Sequence, residues 1–307
     1  KFSLYGVVMM TVMVALVYAA LAEAPLGSLY RFLSAVFLLA LLASVRGPGA
    51  AEGGRAAGTM GDPNEWATMV LLLAPFLLGG LADDDDGLAR LLRMALVGLA
   101  PLAILRSESR TALVVGTLVS PACLYMLRRH RGELALCGIA ALFAAPFVID
   151  LDTALHRFTQ LVANLQGAAT VQDSSLEERS ELFRQGVQLF KDHWFIGAGP
   201  GNFATATGFV SHTGSFRPAH NTYLEIASEQ GIVGLTPTII FLTTVGMTLR
   251  TAWKEATKDG DRNRILGVAA GLGALALMAA TLGLLTFSMA YLVLGFGLAV
   301  VHQARRE

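Results

Sequence analysis

Charge is scarce in this chain. Of its 307 residues only 15% are Asp, Glu, Lys or Arg, whereas 54% are hydrophobic, and the mean hydropathy is +0.57. That composition excludes a protein bathed on all sides by water, and the apolar excess must face lipid. A net charge is also lacking, with 23 basic against 23 acidic residues, so no global field draws in nucleic acid or an acidic substrate. Only two cysteines occur, Cys123 and Cys137, both within apolar runs. They read as packing residues without a disulfide or metal role. The first residues lack a basic n-region and a small-residue cleavage site, Lys1 leading straight into an apolar run. They do not form a signal peptide, and further sequence is expected upstream.

What is present is a series of apolar windows. A helix crossing a bilayer takes about 20 mostly apolar residues. Such windows lie at 4–22, 28–45, 66–82, 91–105, 110–127, 133–149, 221–249, 265–284 and 286–302. They predict about nine spans in an all-α, polytopic transmembrane helix bundle, with Arg106, Glu108 and Arg110 interrupting the pair at 91–127. Basic residues in short loops stay cytoplasmic. Arg128, Arg129 and Arg131, then Arg250, Lys254, Lys258, Arg262 and Arg264, then Arg305 and Arg306 are separated by even numbers of spans, so one topology satisfies them all. It puts residues 150–220, the Arg106–Arg110 turn, the Arg46–Asn64 loop and Lys1 outside. The run Asp83–Asp86 falls inside, as a solvated loop rather than a cation site. The chain thus divides into transmembrane helices at 1–149, an outer loop with amphipathic helices at 150–220, and C-terminal transmembrane helices at 221–307.

The outer segment has its own pattern. Residues 173–192 carry Leu176, Leu182, Phe183, Val187, Leu189 and Phe190 near helical spacing, with Ser174 or Ser175 as N-cap. Gly197, Gly199, Pro200 and Gly201 end that helix and permit close backbone approach. An irregular stretch, Gly208–Pro218, then leads to His220.

Several of these residues are suited to chemistry. Arg110 lies at the outer end of a span, where a cation is costly unless it is paired or lines a polar cavity; pairing with Glu108 or snorkelling is the structural alternative. Arg179, Arg184 and Arg217 add guanidinium groups that topology does not require, and such groups grip phosphate oxygens through paired hydrogen bonds. Arg179 and Arg184, five apart, do not share a helical face cleanly, so at most one of them points at a common site. His220 can take a proton from a hydroxyl, with Glu225 or Glu229 to orient it; the competing reading is helix capping, shared with Asn221. His193, His212 and His220 lack the further ligands that a zinc site requires.

The strings DHWFIGAGPGNF and AHNTYLEIASEQGIVGL carry a resemblance. Residues 173–235 resemble the signature region of the O-antigen ligase and O-antigen polymerase superfamily of bacterial membrane glycosyltransferases: an Arg-bearing helix ending at Gly197–Gly201, the His220–Asn221 pair, then Glu225, Glu229, Gly231 and Gly234. Ser109–Thr111 looks like the family's Ser-Arg step, and Gly58–Ala67 is similar to its Gly-x-x-x-(Asn/Asp)-Pro-Asn start of a span. Trp194 departs from the pattern, since the family often has Pro there. The resemblance implies a GT-C-like bundle in the bacterial inner membrane with a long helical periplasmic loop. It further implies an enzyme that takes a glycan from undecaprenyl diphosphate and passes it to a glycan, lipid A core or protein acceptor, without metal or other cofactor. Carried over, His220 matches the histidine that acts on the acceptor, and Arg179 and Arg110 match arginines assigned to the diphosphate. Arg217, Arg184, Asn221 and Glu225 are expected to bind substrate, and the loop from Phe203 to Pro218 to shape the acceptor pocket. A transporter or flippase that changes no bond is the alternative; it would concentrate polar groups near the midplane in paired repeats.

Overall fold

A computed structural model describes residues 4–46, 50–51, 55–56, 62–83, 87–148, 159, 174–208, 219–284 and 288–304. The helices are α1 (Leu4–Leu21), α2 (Leu26–Arg46), α3 (Pro63–Gly79), α4 (Gly87–Ser107), α5 (Arg110–Met126), α6 (Arg131–Val148), α7 (Ser174–Asp192), α8 (Phe203–Thr207), α9 (Thr222–Glu255), α10 (Asp259–Ala279) and α11 (Ser288–Ala304). A two-residue antiparallel pair, Ala50–Ala51 with Arg55–Ala56, is the β-structure among the described residues.

The fold is all-helical. Among the described residues each apolar window falls largely on one of these helices, and three helices are long and apolar enough to cross a membrane: Gly87–Ser107, Arg110–Arg129 and Thr222–Glu255. Two of the three come from the window pair that Arg106, Glu108 and Arg110 interrupt. Those residues fall at the tight turn between α4 and α5, where Glu108 takes a positive φ of 52° and Ser109 caps α5. Two helices therefore stand where an interrupted pattern was read.

α3 is the centre of the bundle. It is apolar all round and buried from Trp66 to Gly79, as a core helix must be. Its start follows from local chemistry: Asp62 is the N-cap, its carboxylate accepting from the Asn64 and Glu65 amides at 2.6 and 3.3 Å, and Pro63 occupies the first turn, where no amide is needed. α10 packs against α3 in the opposite direction through glycines. A Cβ at Gly267 would lie 2.5 Å from the Pro75 carbonyl oxygen, and one at Gly271 would lie 2.6 Å from that of Leu72. In lipid such backbone-to-backbone contact supplies the packing that hydrophobic exclusion cannot.

The ends of the bundle follow from a few pairings. Arg128 and Arg129 at the end of α5 meet Asp259 at the start of α10, and Trp253 near the end of α9 stacks on Tyr125 at 6.4 Å. At this end too, buried Arg93 donates to the Gly80 carbonyl at 2.7 Å and lies over the Tyr30 ring. Chain direction then puts the starts of α3, α5 and α9 and the ends of α4 and α10 at the opposite end. Direct bonds tie α9 there: the Thr222 amide and hydroxyl donate to the Leu282 carbonyl at 3.0 and 2.6 Å, and the Tyr223 hydroxyl donates to Ala276 at 2.8 Å.

Candidate active site at the end of the bundle

α9 is two helices joined at a break. Gly231 has φ 61° and ψ −156°, a conformation open only to glycine, and it separates Thr222–Gln230 from Ile232–Glu255. The segment that follows α7 docks into this break. The Ile232 and Val233 amides donate to the carbonyls of Trp194 and Phe195 at 2.9 and 3.2 Å, while the carbonyls of Ser228 and Glu229 accept from the Ala198 and Gly199 amides, both at 2.9 Å. In an unbroken helix those two amides and two carbonyls would pair with each other. Here the loop supplies partners for all four, so no backbone group is orphaned where the helix bends.

The glycines of the loop make this approach possible. A Cβ on Gly197 would fall 2.2 Å from the Glu229 carbonyl carbon, and one on Gly231 would fall 2.3 Å from the Phe195 oxygen. Glu229 completes the junction. Its carboxylate is buried and accepts from the Gly201 and Phe203 amides at 2.7 and 2.9 Å. Both oxygens are thus committed to the loop, so Glu229 fixes the shape of the turn. The sequence signal for this junction was a glycine inside an apolar helical run, preceded by an acid, and that pattern alone did not reveal the docked loop.

α7 lies along the first piece of α9. Its buried stripe is Leu182, Gly186 and Leu189, which with Phe203 and Ala219 forms a small apolar cluster. Burying the two leucines stabilises the contact by about 1.5–3 kcal/mol each. Gly186 marks the crossing, since a Cβ there would meet the Leu224 side chain at 2.7 Å. Gly186 beside Leu224 and Trp194 beside Ile232 are eight residues apart on both strands of the chain, so α7 and the first piece of α9 run side by side in the same direction.

That direction positions the arginines. Arg179 is seven residues before Gly186, about 10 Å along the axis, on the stripe of Leu182 and Gly186 and toward the end of α9 where His220 sits. Arg184 is turned to the other side. It is exposed, and its guanidinium forks onto Glu181 with contacts of 2.9 and 2.7 Å. This fork, with the Gln185 amide, holds the Glu181 carboxyl down to about 2. Of the two arginines, Arg179 is half-buried at helical spacing from Leu182 and Gly186, and Arg184 is exposed.

His220 takes φ 49°, a left-handed conformation uncommon for a residue with a side chain. Asn221 follows as the N-cap of α9, its side-chain oxygen accepting from the Leu224 amide at 3.0 Å. Capping is therefore done by Asn221. Glu225, one turn further on, is partly buried, and its Oε2 has no hydrogen-bond partner among the described residues; the same holds for Oε1 of Gln185 on α7. Arg110 opens α5, behind the Ser109 cap, at the bundle end that α10 shares with Thr222. Arg217 and His212 lie outside the described residues.

Arg110, His220, Asn221 and Glu225 thus lie on elements that start at the same end of the bundle, Arg179 lies on the helix packed along α9, and Arg184 is turned outward onto Glu181. Guanidinium groups there can grip an anion, and an imidazole can move a proton. Among the described residues, no three His, Cys, Asp or Glu side chains are grouped as metal ligands.

No curated protein matches the chain. Residues 95–239, from within α4 to the second piece of α9, match the family model described as O-antigen ligase; this stretch holds every candidate site residue named above and stops short of the Gly58–Ala67 motif. That match supports a likeness to the O-antigen ligase and polymerase superfamily of membrane enzymes over somewhat less than half of the chain.

Proposed function

We propose that the protein transfers a glycan from undecaprenyl diphosphate to an acceptor hydroxyl at the periplasmic face of the bacterial inner membrane, with inversion at the anomeric carbon. The observation that carries this reading is the parallel run of α7 beside α9, which brings Arg179 toward His220 at the bundle end shared with Arg110. The basic loops at the other end fit a cytoplasmic face, and nine spans fit the nine apolar windows. On this reading residues 1–149 and 221–307 are transmembrane and 150–220 form the periplasmic loop.

In the reaction the acceptor oxygen bonds to the anomeric carbon as the bond to the diphosphate oxygen breaks. Negative charge grows on the departing diphosphate, and Arg110 and Arg179, joined by Arg217, stabilise it more in the transition state than before it. His220 takes the acceptor proton as the hydroxyl attacks from the face opposite the leaving group. Asn221 holds His220 at the helix start, and Glu225 offers an acceptor oxygen to a sugar hydroxyl. Arg184 supports α7 from its outer side. The scheme needs no metal. It serves ligation to lipid A core or protein and polymerisation of repeat units alike; the acceptor distinguishes them.

The test is His220→Ala in proteoliposomes loaded with lipid-linked oligosaccharide and acceptor. Loss of undecaprenyl diphosphate release, with donor binding retained, is the expected result. Continued release at the wild-type rate would remove the histidine from the mechanism. Release itself separates transfer from transport, since a flippase leaves the glycan on its carrier.

A further inference from the structure

Trp194, Phe195 and Ile196 are three consecutive apolar residues, 56%, 56% and 69% exposed, on a loop whose backbone is pinned to α9 by four hydrogen bonds. The two rings are edge-packed with centroids 5.5 Å apart, so they form one block. The loop cannot swing away, because the Trp194 and Phe195 carbonyls are bonded to the amides of Ile232 and Val233. A contiguous apolar block held rigidly in the open calls for a partner.

We propose that this block is a wedge that inserts into the membrane at the lipid–water boundary, and that its partner is the bilayer itself. The proposal rests on α9 as a membrane span and is independent of the transfer chemistry. Continuity carries it. Ile232 and Val233, to which the wedge is bonded, are exposed, and the exposed apolar surface runs on along the same helix through Ile239, Ile240 and Phe241. Only 6% of the most apolar window of α9 is buried among the described residues, which leaves its flank open to lipid. Height agrees. From Ile232 to Arg250 is about 27 Å at 1.5 Å per residue, close to the ~30 Å of the hydrocarbon layer. With Arg250 at one boundary, Ile232 and the docked wedge fall at the other, the depth that tryptophan prefers. Trp194, the position that departs from the family pattern, gains a role as the anchor that sets how deeply α7 rests on the membrane.

The test is tryptophan fluorescence of the full chain in nanodiscs made with phosphatidylcholine brominated on its acyl chains. The chain has three tryptophans, and subtracting the signal of Trp194→Phe, which keeps an apolar ring, isolates Trp194. Quenching of this difference signal by the brominated lipid, with emission to the blue of indole in water, is the expected result. If brominated lipid leaves it unquenched, the proposal is overturned: quenching by aqueous iodide instead would show the wedge in water, and quenching by neither would show it covered by protein, such as a second copy. A nitroxide on Ile196→Cys, with Cys123 and Cys137 changed to Ala, reads the same depth by its accessibility to oxygen against an aqueous relaxant. Neither measurement involves glycan transfer, so failure of His220→Ala and failure of the wedge are separable.

Discussion

At Gly231 two demands meet on one residue. Its φ and ψ exclude a side chain, and the space where a Cβ would sit is already filled by the Phe195 oxygen. Gly231→Ala must therefore either unbend the helix or eject the loop. We expect a loss of more than about 2 kcal/mol, read as a lower melting temperature in detergent, with protease sensitivity appearing between Trp194 and Phe203. Glu229→Ala strands the buried Phe203 amide and frees that of exposed Gly201, and should cost on the order of 2 kcal/mol. Glu229→Gln, which retains one acceptor oxygen, should cost less. Equal melting temperatures for the two variants would show that these hydrogen bonds contribute little. Sequence named both Gly231 and Glu229 as part of the resemblance and left Glu225 or Glu229 open as the partner of His220; the Glu229 carboxylate holds the loop instead. An acid nine residues from a histidine can orient it or reach elsewhere, and only the path of the docked loop decides which.

Among the helices, α7 separates two arginines that composition treats as equal. Arg179 shares the stripe of Leu182 and Gly186, whereas Arg184 is exposed and forked to Glu181. Arg179→Ala should lower turnover by about a hundredfold, the usual effect of removing one preset donor to developing charge. Arg184→Ala removes an exposed ion pair and should change turnover by less than about fivefold. Steady-state rates of undecaprenyl diphosphate release check both, and the reverse order would mean that α7 presents its other face to the donor. Helical period made α7 legible, and the five-residue spacing already said that one arginine at most faces the site. Which one depends on Gly186 against Leu224, a contact between elements far apart in sequence. Phe183, apolar and in register with the helix, is instead exposed; local pattern does not distinguish a face that docks on protein from one that rests near lipid.

For the whole molecule, the positions of the apolar helices were readable because each needs only a long apolar run, and among the described residues each window falls largely on a helix. The charged turn at Arg106–Arg110 was harder, since three ionic residues weigh against a span until their place between two helix ends is known. The bundle's two ends follow from pairings such as Arg129 with Asp259, which no local signal announces. Sidedness yields a direct prediction. Cysteines placed at Lys258 and at Thr207, in a background without Cys123 and Cys137, should react oppositely with a membrane-impermeant maleimide on intact spheroplasts: Thr207→Cys labelled, Lys258→Cys protected until the cells are lysed. The opposite pattern would invert the topology.

The exchange of backbone partners at the break has one more consequence. The protons on the nitrogens of Ile232 and Val233 are held by a loop outside the span, whereas those a turn further along are held by the helix itself. Deuterium uptake at these two positions thus clocks the undocking of Trp194–Gly199, and a helix long and apolar enough to cross a membrane keeps a record of what happens beside it.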